Sequence, residues 1–376
     1  MPNKAKVAII GTGWWSTTAH FPSLLAHPDA EVTAIVDPRA DILSKAREKY
    51  GISNTYTQLS EMLNQEQLDG AVIATWHSTH YDIAKTCLEH DLTIMIEKPM
   101  VLSASHAKDL IDLANKRRLE IIVGYPYHFT KRAKRIREVV QSGILGKVLY
   151  INCYFTSMVI EFLRGNDTTY KKIFGYPVTG PGSVYADTKL SGGGQGHLQV
   201  THSASLMHFI TGLRPVSVSA LMNNLEFDDA KKDVIDAMTI VMNNGALANV
   251  GSAGNLQPND PGKLSLQLNC GNGRVDIDFI TGEGLIRYAN GTEEIFPAFK
   301  NITPSGSDTT PDNDEAMEAY PLHATASNLV DVITGKSTNG SPGEIGWHTV
   351  ELLDAAYRSA AKNGKSVDVT SLYSNN

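Results

Sequence analysis

Short uninterrupted apolar runs at 7–10, 32–36, 70–74, 93–96 and 121–123 punctuate the first third of the chain. Each is rich in β-branched residues and bounded by Gly, Asp, Lys or Pro, a texture that predicts strands buried on both faces of a parallel sheet. Helical patterns lie between them. Residues 41–50 predict one helix, with Asp41 near its start and Gly51 just past its end. Residues 60–64 and 79–90 predict two more, and 103–116 a fourth, where Ser103 precedes a stripe of Ala107, Leu110, Ile111 and Ala114. Strands alternating with helices imply βαβ units and a doubly wound sheet.

The pattern changes after Gly124. A basic amphipathic helix at 131–142 leads to an alternating strand at 147–156, then to a long irregular stretch at 158–190 rich in Gly, Thr and Tyr. Loops of that length are usually functional or disordered. Residues 216–222, 234–242, 246–253, 263–270, 274–279 and 285–288 predict antiparallel strands, with Asn-Gly turn signals at 244–245, 272–273 and 290–291. A polar segment at 300–316 is expected to be a mobile loop, and 324–335 and 343–363 to be helical. The fold class is therefore α/β: a Rossmann domain at 1–124, then an α+β domain at 125–376 with a large, mainly antiparallel open sheet. Such a sheet needs a cover, which predicts a homodimer or homotetramer formed through it.

Composition narrows the function classes. The 376 residues are 42% apolar and 19% charged with a net charge of −7, as expected of ordered globular domains. An acidic chain whose one basic cluster is Lys131, Arg132, Lys134, Arg135 and Arg137 is no nucleic-acid binder; the cluster reads as a solvated helix face. Cys87, Cys153 and Cys270 lie far apart, without metal-ligand or disulfide-framework spacing, so no metal is expected. The first apolar run is too short for a signal segment and no stretch approaches a membrane span of about 18 residues. The expectation is a cytoplasmic protein without membrane contact.

Gly11-Thr12-Gly13-Trp14-Trp15-Ser16 directly follows the first strand and opens a helical stretch. Gly11 permits a tight turn and Gly13 a close approach of backbone to pyrophosphate, whose charge the helix N-terminus meets. Ser16 stands where a third glycine often sits. Asp37, ending the second strand, can take both ribose hydroxyls of an adenosine and would repel a 2′-phosphate. NAD is thus favoured over NADP, with Arg39 as the residue that could pair with that phosphate.

Further residues point to one family. Glu97-Lys98-Pro99 follows the strand at 93–96, His20 follows the glycine turn, and Thr75-Trp76-His77-Ser78-Thr79-His80 follows another strand. Val123-Gly124-Tyr125 precedes the basic helix, and Gly143-Ile144-Leu145-Gly146-Lys147-Val148 opens the second domain. In this order and spacing the chain resembles the Gfo/Idh/MocA oxidoreductases over nearly its whole length. The resemblance implies hydride transfer between a nicotinamide cofactor and a secondary hydroxyl of a sugar, sugar derivative or cyclitol. It implies Lys98 and His202 as the catalytic pair. Relatives often carry an Asp four residues before that His; here the position is Leu198, with Gln199 three before.

Lys98 at the carboxyl end of a central strand can hydrogen-bond the reacting oxygen, and burial can lower its pKa. Gly11, Thr12, Gly13, Trp14, Trp15, Asp37, Arg39, Thr75, His80, Glu97 and Lys98 are the expected cofactor residues. Lys98, Tyr125, His128, His197, Gln199 and His202 are the expected substrate contacts. Two alternatives stand beside a polyol dehydrogenase: a redox-assisted glycoside-cleaving enzyme of the same fold that recycles held NAD, and a non-catalytic NAD-binding sensor.

Overall fold

The computed structural model describes residues 4–257, 260, 262–300 and 318–373. The polar segment expected to be a loop lies, apart from Lys300, outside them. Six strands form the first sheet: β1 Ala5–Ile10, β2 Ala30–Val36, β3 Asn54–Tyr56, β4 Gly70–Ile73, β5 Thr93–Ile96 and β6 Ile121–Val123. All pairings are parallel, in the order β3-β2-β1-β4-β5-β6. Val7, Ala8 and Ile9 of β1 and Ala71, Val72 and Ile73 of β4 have no exposed surface. Helices on both faces explain why these strands read as continuous apolar runs. The order reverses between β1 and β4, which opens a crevice at their carboxyl ends. Gly11 and Ala74 both emerge there. The strand β3 escaped the sequence reading because it is a three-residue edge strand, Asn-Thr-Tyr, with no apolar run to mark it.

The second sheet has nine strands: β7 Val148–Thr156, β8 Pro215–Asn223, β9 Ile235–Met242, β10 Leu247–Ala253, β11 Lys263–Cys270, β12 Gly273–Asp278, β13 Gly284–Tyr288, β14 Glu293–Phe296 and β15 Val367–Asp368. Their order is β14-β13-β12-β11-β7-β10-β9-β8-β15, antiparallel except for the β7–β10 pair. Period-two alternation sorts each strand between faces. In β9, Asp236, Met238, Ile240 and Met242 are buried while Ile235, Ala237, Thr239 and Val241 face outward. The buried face packs with residues of the helices Lys131–Gln141, Thr201–Thr211 and Gly343–Ala360 in one core.

Two helices near the end of the described chain pack into the first domain's cores. Helix Ala324–Ile333 returns to the first domain, where Ala326, Leu329 and Val330 share a core with Ile9, Val72 and Met95. The next helix, Gly343–Ala360, puts Val350 into the first domain's core and Leu352 and Leu353 into the second's. The stretch 158–190 also departs from an irregular loop. It holds short helices at Ile160–Leu163, Lys171–Phe174 and Thr188–Ser191. Met158, Phe162 and Tyr170 make a small core there, packed against Trp14 and Tyr185.

Candidate active site

The glycine turn is shaped by its neighbours. Gly11 has φ +95°, and a Cβ there would run into the Ala74 carbonyl. A Cβ on Gly13 would meet only the Arg39 guanidinium, at 3.7 Å. A helical stretch follows through a widened π turn at Ser16–His20 into helix Phe21–Ala26; such turns recur at functional sites. The buried Ser16 Oγ has no hydrogen-bond partner among the described residues. One tight glycine, one open glycine, a helix start and an unsatisfied hydroxyl fit a dinucleotide pyrophosphate.

Asp37, 1% exposed, is fully engaged. Oδ2 accepts from Thr12 N and Thr12 Oγ1, both at 2.9 Å, and from Arg39 Nη2 at 2.8 Å. Oδ1 accepts from Arg39 N at 3.0 Å and Arg39 Nε at 2.9 Å. Burial by itself would raise the carboxyl's pKa. The Arg39 guanidinium and the Thr12 and Arg39 N–H groups outweigh it and hold the group below the usual carboxylate range. Arg39 is thus tied by two of its nitrogens to the carboxylate that the sequence reading set against it.

At the end of β5, Glu97 ties neighbouring elements together. Its Oε1 accepts from Trp15 Nε1 at 2.9 Å and lies 3.0 Å from His20 Nε2; its Oε2 accepts from Lys98 N at 3.1 Å. A Cβ on Gly124 would lie 2.8 Å from Glu97 Oε1, so that glycine makes room for the carboxylate. Burial pushes Glu97 up, but His20 and Lys98 hold it below the usual range. Trp15 is likewise turned to Glu97. Trp14 packs on Phe162 and Tyr176, each 5.5 Å away between ring centres.

Lys98 reaches across the domain boundary. Its Nζ donates to the Leu198 carbonyl at 2.9 Å, and burial lowers its pKa against the opposing charge of Glu97. The Leu198 side chain packs with Val159, Leu163 and Val234. At the position where relatives often have a carboxylate, this chain offers Lys98 a backbone carbonyl instead. His202 stands four residues on, 4% exposed, its Nδ1 without a hydrogen-bond partner among the described residues. Tyr125 and Tyr127 surround it with ring centres 6.0 Å away and Phe155 with one at 6.3 Å. Burial first, then the charge of Lys98, hold its pKa well below the ordinary histidine value, so the imidazole is neutral.

A π turn spans Gly196–Val200 before helix Thr201–Thr211 begins, so Gln199 and His202 are not related by regular α-helical spacing. Gln199 is half-buried and makes no side-chain hydrogen bond among the described residues.

Four of the expected contact residues are buried in this structure. Tyr125 is fully buried, its hydroxyl 2.9 Å from Thr201 Oγ1. His128 is also fully buried, stacked 4.3 Å over Phe209 with Nδ1 3.0 Å from Ser341 Oγ. His197 stacks on Tyr357 at 4.6 Å, and burial pushes its pKa down to about 3. His80 lies within hydrogen-bond distance of the Pro99 and Thr75 carbonyls, at 2.9 and 3.3 Å, with no exposed surface. Thr75 stays half-buried and accepts from Thr79 Oγ1 at 2.8 Å.

The structure adds residues that local spacing did not single out. His77 Nδ1–H donates to the Ser191 carbonyl at 2.7 Å, with the Tyr185 ring 5.9 Å away. Tyr320 stands 6.5 Å from Trp15 and 5.1 Å from Tyr127. These contacts join residues more than a hundred positions apart, so no local pattern carries them.

Residues 5–125 match the oxidoreductase family with an NAD-binding Rossmann fold, Gfo/Idh/MocA, and residues 133–276 match the Gfo/Idh/MocA C-terminal domain. Over 169 residues the chain is 24% identical to the D-xylose 1-dehydrogenase [NADP(+)] of Haloarcula marismortui, covering 44% of this chain and 47% of that protein. Over 142 residues it is 26% identical to the myo-inositol 2-dehydrogenase of Thermotoga maritima, covering 38% and 42%. The chain thus matches about half the length of these relatives. An oxidoreductase from Agrobacterium radiobacter, solved with NAD+, L-tartaric acid and magnesium, superposes with a TM-score of 0.75 at 18% identity over 98% of this chain and 100% of that one. With both halves of the architecture matched, the chain belongs to the Gfo/Idh/MocA family of oxidoreductases and carries its NAD-binding Rossmann domain.

Proposed function

We propose that this protein transfers hydride between NAD and a secondary hydroxyl of a sugar, sugar derivative or cyclitol. The observation that carries the reading is the pairing of Lys98 with the helix bearing His202, at the crevice that follows β1 and β4. When bound, the nicotinamide supplies the carbon that accepts or gives hydride. The chain supplies the proton chemistry. Lys98 Nζ hydrogen-bonds the reacting oxygen, exchanging its Leu198 partner for it. The neutral His202 imidazole, with an unpartnered Nδ1, takes the hydroxyl proton in the oxidation and returns it in the reduction. Asp37 takes the adenosine ribose, and the Arg39 fork it holds is not free for a 2′-phosphate, which favours NAD over NADP. A screen of sugars and cyclitols for NADH fluorescence tests this; no reduction of NAD by any of them would overturn it.

One observation favours glycoside cleavage with recycled cofactor as a second reading. The segment after β7 is strapped to the first domain through Trp14 on Phe162 and Tyr176, and through the Ser191 carbonyl on His77. A strap across the cofactor crevice would slow NAD release. Aglycone release without net NADH would support this reading, and steady NADH production would exclude it.

We also infer that two copies associate through the outer face of the second sheet. Leu221, Ala237, Gly251 and Tyr154 form one cross-strand row and Val241, Leu247 and Tyr150 another, all uncharged. Leu221 is 62% exposed and Leu247 48%. A second copy presenting the same uncharged rows is its natural complement. Sedimentation of Leu221→Arg should give a monomer where the parent gives a dimer or tetramer.

A further inference from the structure

The glycine-rich segment before His202 is held from outside. Asp233, in the turn leading into β9, is fully buried. Its Oδ1 accepts from Gly194 N at 2.9 Å and its Oδ2 from Gly196 N at 2.6 Å. Its main-chain carbonyl accepts from Gln195 N at 2.8 Å. Three consecutive N–H groups at the start of a helical segment are thus satisfied by one residue 37 to 39 positions downstream. Helix starts ordinarily rely for this on a side chain next to them in sequence. Asp233 is packed tightly against the segment: a Cβ on Gly194 would collide with the Asp233 backbone. The remaining bond ties in the C-terminal helix, since Tyr357 Oη donates to Asp233 Oδ1 at 2.6 Å while the Tyr357 ring stacks on His197.

Two residues beyond Gly196 stands Leu198, whose carbonyl takes Lys98 Nζ, and six beyond stands His202. We propose that Asp233 is a positioning residue for the active site: it fixes the start of this helical segment, and through it the Leu198 carbonyl that holds Lys98 and the placement of His202. This rests on the reading of Lys98 and His202 as the reacting pair. A chain without the usual carboxylate on this segment has its anionic group behind the segment instead, where it orients the backbone and does not meet the substrate. Asp236, three residues on, lies beside it; burial and the Asp233 charge push the Asp236 carboxyl well above the usual range.

The test is the titration of Lys98, read by NMR of the ¹³C-dimethylated protein, with Lys98→Arg to assign the signal. Lys98 faces the carboxylate of Glu97 and the imidazoles of His77 and His202, which burial keeps neutral, and its midpoint is lowered by exclusion of water. In Asp233→Asn the amide sets N–H against N–H, the segment loosens, and the Lys98 midpoint should rise by roughly 0.5–1 pH unit toward ordinary lysine. Tyr357→Phe removes one of the four bonds and should shift it in the same direction by less. Calorimetry should give NAD the same affinity in both variants, because Asp233 is remote from the glycine turn. A folded Asp233→Asn with an unmoved Lys98 midpoint would overturn the proposal. If Asp233→Asn does not fold, an unmoved midpoint in Tyr357→Phe would overturn it equally. The readout needs no substrate, so a shifted midpoint in a protein that oxidises no polyol would sink the dehydrogenase reading and leave the positioning role standing.

Discussion

Lys98 and His202, the proposed reacting pair, share one buried environment that acts on both in the same direction. One is a cation whose charge burial disfavours; the other is a base kept neutral by burial and by that cation. Removing a general acid–base group typically costs about 10²–10⁴ in rate. Lys98→Ala and His202→Ala should lose turnover on that scale while calorimetry still finds NAD bound; full turnover in both would remove them from the mechanism. Asp37 and Arg39 make the matching pair at the proposed ribose end of the site. Without the carboxylate, Arg39 is released from its two-point bond and can meet a 2′-phosphate. Asp37→Ala should weaken NAD by about tenfold, roughly 1.4 kcal/mol, and raise the relative affinity for NADP. An unchanged preference in the same titration would count against the ribose assignment.

At the scale of elements, side chains named for one role turn out to join parts of the fold. Trp14, next to the open glycine, closes the aromatic cluster of the segment after β7. Aromatic pairs contribute about 0.5–1.5 kcal/mol each beyond their burial, so Trp14→Ala should free that segment without unfolding the domain. Limited proteolysis should then cut between residues 158 and 190 several-fold faster, and stopped-flow should find faster NAD release. The basic helix at 131–141, read as a solvated face, is half engaged. Arg135 pairs with Glu294 on β14 at 2.9 Å, and Arg137 lies 4.4 Å over the Phe209 ring. The cluster clamps the far edge of the second sheet and the helix carrying His202.

The whole molecule carries an unusual load of buried imidazole. Burial pushes His128, His197 and His208 down to about 3. The unfolded chain protonates each below about pH 6.5, whereas the folded chain does not until far lower pH. Below pH 6.5 the unfolded state therefore binds more protons, and stability falls as pH falls. At pH 5.5 the loss is on the order of 1.4 kcal/mol per histidine. The urea midpoint should drop between pH 7 and 5.5, and His208→Gln, remote from the crevice, should flatten that slope. A midpoint independent of pH would contradict the burial argument.

The alternation of apolar runs and helical stripes was enough to determine the Rossmann half, because strands buried on both faces and a glycine turn between strand and helix are local patterns. The same holds for Gly11, Asp37 and Lys98, each fixed to the end of a strand the sequence already marks. The antiparallel strands of the second sheet were legible through period two and Asn-Gly turns. The tertiary structure alone decided what Lys98 touches, because its partner is a carbonyl a hundred residues away and a backbone oxygen leaves no trace in residue identity. It also decided that Tyr125, His128 and His197 belong to the core, since burial is set by the chain that returns over them. The widened turn at Gly196–Val200 and the cap on Asp233 escaped for the same reason: both are made by contacts between distant segments, whereas periodicity reports only on neighbours.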